Sequence, residues 1–498
     1  MDEIYQGIID LISYLYDRKI INFFDIAKNV KKIVLFLNLE NSINYNETII
    51  LNKNYGKIDD IISIFSNYMI KNNRIIIDRK EYFENELMNL FSKSHTEINN
   101  EFWEIYRNSD SSSALNYFYN YNCSINYIHL NSIAKNIYFV EKIEENELEI
   151  TINMCKPEKD SKNIAALLFN HISIKNEQNK SAPNCELCKE NEGYSDIFRI
   201  NKQNLRLISL NLKEERWHFQ FSPYSYFYQH AVVVSNEHKP MTINENTIYY
   251  LIDFVDIFPN YIIGSNADLP IVGGSILNHE HFQCGLHEFA IEKAKSVYSF
   301  KESNLIVSIL NWPMTCIKIE SCDKKSIIDK YRDILNKWKA YKNEELNILP
   351  ITRNINHNTL NPIIRKNGGK YTLYLILRNN RTNEEFPDGI FHIKKENQNI
   401  KKENIGLIEA MGLAILPGRL KNEIEAVKEY ILDNQMINMK EIHVDWAKEL
   451  RRKYNNMNIE EYIKKEIALK FWSCLKDCCV LNASDSKEFK EILKISTK

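Results

Sequence analysis

Two histidines and a glutamine, His279, His281 and Gln283, alternate with Glu280 and Phe282 in the stretch SNADLPIVGGSILNHEHFQCGLH. On an extended backbone successive side chains point to opposite faces, so these three share one face and Phe282 takes the other. A nucleophilic histidine must be neutral, with one ring nitrogen free and the other N–H held by an acceptor that fixes the tautomer. A main-chain carbonyl nearby would serve. Gln283 is neutral and offers an amide N–H, which suits a phosphate oxygen whose charge shifts during a transfer. It cannot become cationic and act as an acid, as a third histidine would. That favours passing a group to another acceptor over hydrolysis. Just upstream, Gly273 and Gly274 have no Cβ to hold the backbone away from a phosphate.

A second constellation is Cys185-x-x-Cys188, in a segment without the strand–helix context of a redox motif. Structural zinc sites are closed tetrahedra of cysteine and histidine. His238, in NEHKP, and His279 are the partners chosen to complete one, with His218 and His230 as rivals. Were His279 turned toward a metal, the backbone carrying His281 would be fixed with it. The plainer alternatives are two small buried thiols and a polar strand edge beside a turn. Asn266 and Ser275 flank the glycine pair, where they would meet phosphate or ribose. Asp268 would orient a hydroxyl or cap the turn before Pro270. Arg378 and Arg381 in RNNR, with Lys156 and Lys159, would neutralise a diphosphate, arginine being suited to bidentate contacts; the alternative for each is a surface charge.

These residues must be positioned by a chain of 498 residues, long enough for two to four units of domain size. Residues 1 to 140 read as helical: Ile4, Ile8, Leu11, Ile12 and Leu15 recur at helical spacing, and a second pattern spans Tyr82 to Tyr106. Asp110 then offers an N-cap. From 137 the texture changes to strands around a turn in EENE, followed by KPEKDSKNIAALLF entering a short helix and a polar loop over 171–184. A strand over Asn204 to Leu212, the strand AVVV and a helix over Ile248 to Phe258 lead to the histidine stretch. The pattern restarts after His287 with SNLIVSIL, TCIKIE, a helix from Lys325 to Tyr341, a polar loop over Asn354 to Asn361 and the strand YTLYLILRNNR. Helical periods return beyond Lys421, including a tail over Ile459 to Cys479.

Composition removes several classes of function. Sixty-six acidic side chains balance sixty-four basic ones, for a net charge of −2, which argues against a nucleic-acid partner held by general attraction. No apolar run reaches the roughly 18 residues that a membrane helix needs. The start, MDEIYQGIIDLISYL, lacks the basic region and cleavage site of a signal peptide. Ten cysteines, several of them solitary, suit reduced thiols, and a cytoplasmic location is expected.

The long stretches LEITINMCKPEKDSKNIAA, CELCKENEGY, FQFSPYSYFYQHAVVVSNEHKPM, SNADLPIVGGSILNHEHFQCG, LILRNNRTNEEFP and IKKENIGLIEAMGLAILPGRL carry a resemblance. Across roughly residues 145 to 420 the chain resembles the second, mainly bacterial type of galactose-1-phosphate uridylyltransferases, within the histidine-triad superfamily. The resemblance implies an α+β fold with two tandem histidine-triad-like antiparallel sheets and helices, a helical N-terminal region and a C-terminal tail. The corresponding division is 1–140, a catalytic half over 141–295, a second half over 296–425 and a tail over 426–498.

It also implies that His281 attacks the α-phosphorus of UDP-glucose, that a uridylyl-histidine forms, and that galactose-1-phosphate takes the group in a ping-pong reaction. Gln283 carries over as the donor to the phosphate. By the first type, Cys185, Cys188, His238 and His279 would hold a structural zinc or iron, and the enzyme would be a homodimer. Three departures from the second type's usual pattern stand at Asn278, Glu280 and Cys284; the last adds a side chain where backbone approaches substrate. The rivals to the transferase are a histidine-triad nucleotidyl phosphorylase or hydrolase, and a zinc-stabilised nucleotide-sugar-binding protein without catalysis.

Overall fold

The computed structural model describes residues 2–39, 50–154, 183–195, 202–274, 276–484 and 486–493. The expected short helix in KPEKDSKNIAALLF, and the loop after it except for its last two residues, fall outside them. The chain separates into two compact units, the first built from 1–134, 178–210 and 216–225, the second from 135–177, 211–215 and 226–498.

The first unit is chiefly helical, as the periodicity predicts. Helix Asp2–Asp17 buries Ile4, Ile8, Leu11, Ile12 and Leu15 along one face. That face joins Val30, Ile33 and Val34 and then Phe65, Phe83 and Leu87 in one apolar cluster. The single pattern expected over Tyr82 to Tyr106 is instead two helices, Lys80–Asn89 and His95–Asn108. The break has a local cause, because Ser94 and Glu97 form a capping box that starts a new helix. Asp110 caps the next helix, Ser111–Ser124, by accepting from the Ser113 N–H at 2.7 Å.

The second unit carries the sheets, and the fold class is α+β. Eight strands lie wholly within it as successive neighbours: Ala231–Ser235, His281–Gly285, Ile262–Gly264, Asn358–Asn367, Lys370–Asn379, Cys316–Ser321, Leu305–Leu310 and Ser296–Glu302. Every pairing in this run is antiparallel. Strands on either side of residue 295 are therefore edge to edge in one sheet, joined where Ile363 pairs with Gly264. Gly264 is required there, since a Cβ would lie 2.9 Å from both the Ile363 side chain and the Pro362 carbonyl.

The polar tract expected as a loop over Asn354 to Asn361 is corrected here: Asn358 begins a ten-residue strand. Asn358 and Asn361 are buried because their amides bond inward, Asn358 to the Trp338 and Tyr341 carbonyls and Asn361 to the Ser265 carbonyl. GLIEAMGLAILPGRL likewise divides into a short helix, Leu407–Ala410, and a strand, Leu413–Pro417. That strand pairs in parallel with Asn146–Asn153, itself the second arm of the hairpin with Ile137–Ile143. Among the described residues no helix is long and apolar enough to cross a membrane.

Helices at the C-terminal end pack on the same core, Ile463, Ile467, Phe471 and Trp472 joining Leu413, Leu416 and Trp312. A buried polar knot sits beside that core. Glu423 accepts from His443 Nε2 at 2.9 Å, from Lys440 Nζ at 2.8 Å and from Arg419. Burial works against its charge, but the hydrogen bonds from His443 and Lys440 and the Arg419 charge outweigh it and hold the carboxyl down to about 2. Because this value lies below the ordinary 4.5, the stabilisation is complete above 4.5 and is lost as pH falls toward 2. Glu423→Gln is accordingly expected to lower the melting temperature at neutral pH. Its gap from the unaltered chain should close as pH falls from 4.5 toward 2, measured by thermal unfolding across that range.

Candidate active site and metal centre

The histidine strand, His281–Gly285, lies between Ala231–Ser235 and Ile262–Gly264. Its register sets His281 opposite Val234, and Gln283 opposite Val232 on one side and Gly264 on the other. The ladder begins only at His281, so His279 lies in the turn before the strand, which corrects the expectation of three alternating strand positions. Contacts continue past the ladder in irregular form: Ser235 N–H to the Glu280 carbonyl at 3.0 Å, Glu280 N–H to Lys239 O at 2.7 Å, and Met241 N–H to Leu277 O at 2.9 Å. These bonds hold the segment bearing His238 against the one bearing His279, and the two rings meet edge-on with centroids 4.9 Å apart. Glu280 is paired with Lys239 at 3.1 Å.

His281 Nδ1 carries the proton and donates to the His279 carbonyl at 2.8 Å. Its Nε2 therefore holds a lone pair. The ring is buried, and burial above all pulls its pKa down to about 4, so it is neutral near pH 7. His279 donates its own Nε2–H to the Ser235 carbonyl at 3.0 Å, which leaves its Nδ1 for another partner. Gln283 is half-buried, and its Oε1 is shut away from solvent. Cys284 alternates to the opposite face from Gln283, where it is 1% exposed and opposite Ala231. Its side chain is in the core, contrary to the expectation that it stands where backbone approaches a substrate.

Cys185 and Cys188 form a knuckle with their Sγ atoms 3.6 Å apart. The Leu187 N–H points at Cys185 Sγ at 3.4 Å, and the Asn191 amide ties down both cysteine carbonyls at 2.8 Å. Of the four expected ligands, Cys185 and Cys188 lie in the first unit and His238 and His279 in the second. The donor set fits a cation. The hydrogen bond between the two thiols, together with burial, pushes the Cys185 thiol well up, and a bound cation would favour the thiolate that the pair otherwise resists forming.

The loop carrying the glycine pair is held from several sides. The Ser265 N–H donates to Pro362 O at 2.9 Å, and the Asn361 amide donates to Ser265 O at 3.1 Å. Asn266 Oδ1 accepts from the Leu407 N–H at 2.9 Å, and the Asn380 amide reaches Pro270 O at 3.2 Å. Asp268, expected to orient a hydroxyl or cap a turn, has one oxygen on the Ile243 N–H at 2.8 Å and the other on the Thr359 hydroxyl. Both bonds reach distant segments, so Asp268 ties this loop to Ile243 and to the strand at Thr359. Arg378 is also corrected: it is only 1% exposed, and its Nη1 bonds Asn361 Oδ1 at 3.2 Å and Ile405 O at 3.1 Å, so it braces the loop's support and faces no solvent. Arg381 is half-buried and reaches the Asn347 carbonyl at 2.9 Å. Ser275, Lys156 and Lys159 lie outside the described residues.

Asn361 and Thr359 were missed as supports of the site because they fall in a stretch that reads as polar loop, and Asn380 because it stands between two arginines that draw the reading to charge. The signal available was the apolar run Leu360 and Pro362 to Ile364 interleaved with them. The glycine pair also has a second reason for its composition. A Cβ on Gly273 would sit 2.3 Å from the Ala267 carbonyl oxygen, whereas one on Gly274 would meet the Asn266 amide at 2.8 Å. Gly273→Ala is expected to destabilise the protein by about 1–3 kcal/mol, as overpacking does, and Gly274→Ala by less because a side chain can give way. Denaturant unfolding of the two variants measures the order.

Comparison with known proteins bears on the same residues. Residues 44–240 match the family described as galactose-1-phosphate uridyl transferase, N-terminal domain, and residues 225–448 match its C-terminal domain. A galactose-1-phosphate uridylyltransferase of Streptococcus pneumoniae is 44% identical over 430 residues, covering 84% of this chain and 85% of its own. One of Lactococcus lactis is 38% identical over 495 residues, covering 98% of this chain and 97% of its own. With both of the family's domains matched and these relatives aligned over most of their length, the chain belongs to the galactose-1-phosphate uridylyltransferase family.

Proposed function

We propose that the protein transfers the uridylyl group of UDP-glucose to galactose-1-phosphate through a covalent intermediate on His281. The observation that carries this reading is the 2.8 Å bond from His281 Nδ1–H to the His279 carbonyl, in a ring that burial keeps neutral. The Nε2 lone pair attacks the α-phosphorus, an N–P bond forms, and the P–O bond to glucose-1-phosphate breaks with its electron pair on the departing phosphate. That leaving group is already a stable anion, so no strong acid is needed. Positive charge that builds on the ring meets the His279 carbonyl. Gln283, on the same face, donates its amide N–H to a phosphate oxygen. In the second half a phosphate oxygen of galactose-1-phosphate attacks, and the N–P electrons return to Nε2.

Zinc is the metal we assign to Cys185, Cys188, His238 and His279, from the family resemblance and because two thiols and two imidazoles are its usual closed donor set. When bound it supplies structure, fixing the His279 ring. Asn266, Asp268, Arg378 and the glycine pair act in this reading by shaping the loop beside the phosphates.

With UDP-glucose alone, the protein should release about one equivalent of glucose-1-phosphate and gain a uridylyl adduct in its intact mass, as a ping-pong enzyme does. Steady release of UMP into water would overturn the transferase reading. His281→Ala should lose the adduct and several orders of magnitude in turnover while keeping its zinc content. Cys185→Ser should lower both zinc content, read by elemental analysis, and melting temperature. Retention of zinc by that variant would overturn the ligand assignment.

A further inference from the structure

His230 is a buried titratable residue that the reaction above does not use. It immediately precedes the strand Ala231–Ser235, which pairs with the histidine strand through Ala231 and Cys284, then Val232 and Gln283. Continuing that register by one residue sets His230 opposite Gly285 and diagonal to Gln283, on the same face as Gln283 and His281. Diagonal neighbours of this kind are within reach of long side chains. Gly285 lets the segment before His230 close in on the histidine strand: a Cβ there would lie 2.6 Å from the Phe227 ring and 2.7 Å from the Gln229 carbonyl.

The ring is clamped. Tyr226 stacks on it with centroids 5.1 Å apart and planes at 27°, and Phe227 packs at 4.7 Å. Only 3% of the residue is exposed. Among the described residues, neither ring nitrogen of His230 nor Oε1 of Gln283 has a hydrogen-bond partner at full geometry, although all three are sealed from water. Unpaired polar atoms in such a place are costly, and two complementary ones at diagonal positions on one sheet face gain by pairing. Burial pulls the His230 pKa down to about 3, and the one group opposing that shift is the Gln283 side chain. The ring is therefore a neutral imidazole, which has one N–H to give and can carry it on either nitrogen.

We propose that His230 is a positioning residue for Gln283: its N–H donates to Gln283 Oε1 and so turns the amide NH2 toward the substrate phosphate. Without that partner the terminal amide is free to rotate by half a turn and present its oxygen to the phosphate oxygens, where it repels them. A locked amide has the donor in place before charge shifts, which is where preorganised hydrogen bonds act. Phenylalanine would fill the same slot between Tyr226 and Phe227 but could not orient the amide.

The inference rests on the assignment of Gln283 as the phosphate donor, and the experiment separates the two. Steady-state kinetics are measured for His230→Phe, His230→Gln and Gln283→Ala, and for His230→Phe combined with Gln283→Ala, each with its melting temperature. His230→Phe should lower kcat about tenfold or more while KM for UDP-glucose moves much less, because the donor matters most in the transition state. His230→Gln keeps an N–H at similar reach and should restore most of that loss. In the Gln283→Ala background, His230→Phe should have little further effect.

An unchanged kcat in His230→Phe, or an equal fall in both backgrounds, overturns the proposal. If Gln283→Ala itself retains full kcat, the donor assignment fails and takes this inference with it. If Gln283→Ala is impaired and His230→Phe is not, only this inference fails. Should His230→Phe not fold, His230→Leu against His230→Gln makes the same comparison.

Discussion

One short hydrogen bond, from His281 Nδ1–H to the carbonyl two residues earlier, sets what this site can do. It fixes the tautomer, leaves the distal nitrogen bare and offers a negative dipole to a ring that, in the proposed reaction, becomes cationic as phosphorus bonds to it. A bond between residues so close in sequence is only as good as the backbone between them. Here that backbone is held by the Glu280 main chain, bonded to Ser235 on one side and Lys239 on the other, and by the His279 ring on Ser235 O. In the proposed reading, a metal on His279 acts on this same short segment and so on the backbone that carries His281.

The glycine loop is organised differently, by side chains that reach it from distant strands. Asn361 joins Arg378 to the Ser265 carbonyl, and Asn380 joins His357 to the Pro270 carbonyl. Each amide uses its oxygen and its nitrogen on different partners, so these buried links are satisfied at both ends, the condition under which a buried polar network stiffens a structure. The loop needs that hold. Ile271, a β-branched residue, adopts φ of 74°, a left-handed conformation that such residues avoid and that persists only where its surroundings impose it.

The histidine triplet and the C-x-x-C pair were legible because each depends on residue type and short spacing, and the α+β class came with the family resemblance. Helices such as Asp2–Asp17 were legible for the same reason, their apolar period being local. What escaped was long-range. Nothing around Arg378 reveals that Asn361 will occupy its guanidinium, and Asp268 reads as an exposed turn acid until Thr359 and the Ile243 N–H are brought to it. The strand at Asn358 was hidden by its asparagines, whose burial makes sense only once the carbonyls of Trp338, Tyr341 and Ser265 are in place. His230 was weighed as a metal ligand because histidine near a C-x-x-C suggests one; the strand register gives it another neighbour.

The parallel pairing of Leu413–Pro417 with Asn146–Asn153 bears on how the chain is made. The hairpin from Ile137 to Asn153 leaves the ribosome early, but the strand that covers its open edge is encoded beyond the whole histidine stretch and the sheet that follows. Throughout that interval the hairpin presents unpaired N–H and C=O groups and an apolar face carrying Leu148, Ile150 and Ile152. The nascent chain is thus open to mispairing with its neighbours on a polysome while its histidine segment is being made. Completion of Leu413–Pro417 ends that exposure.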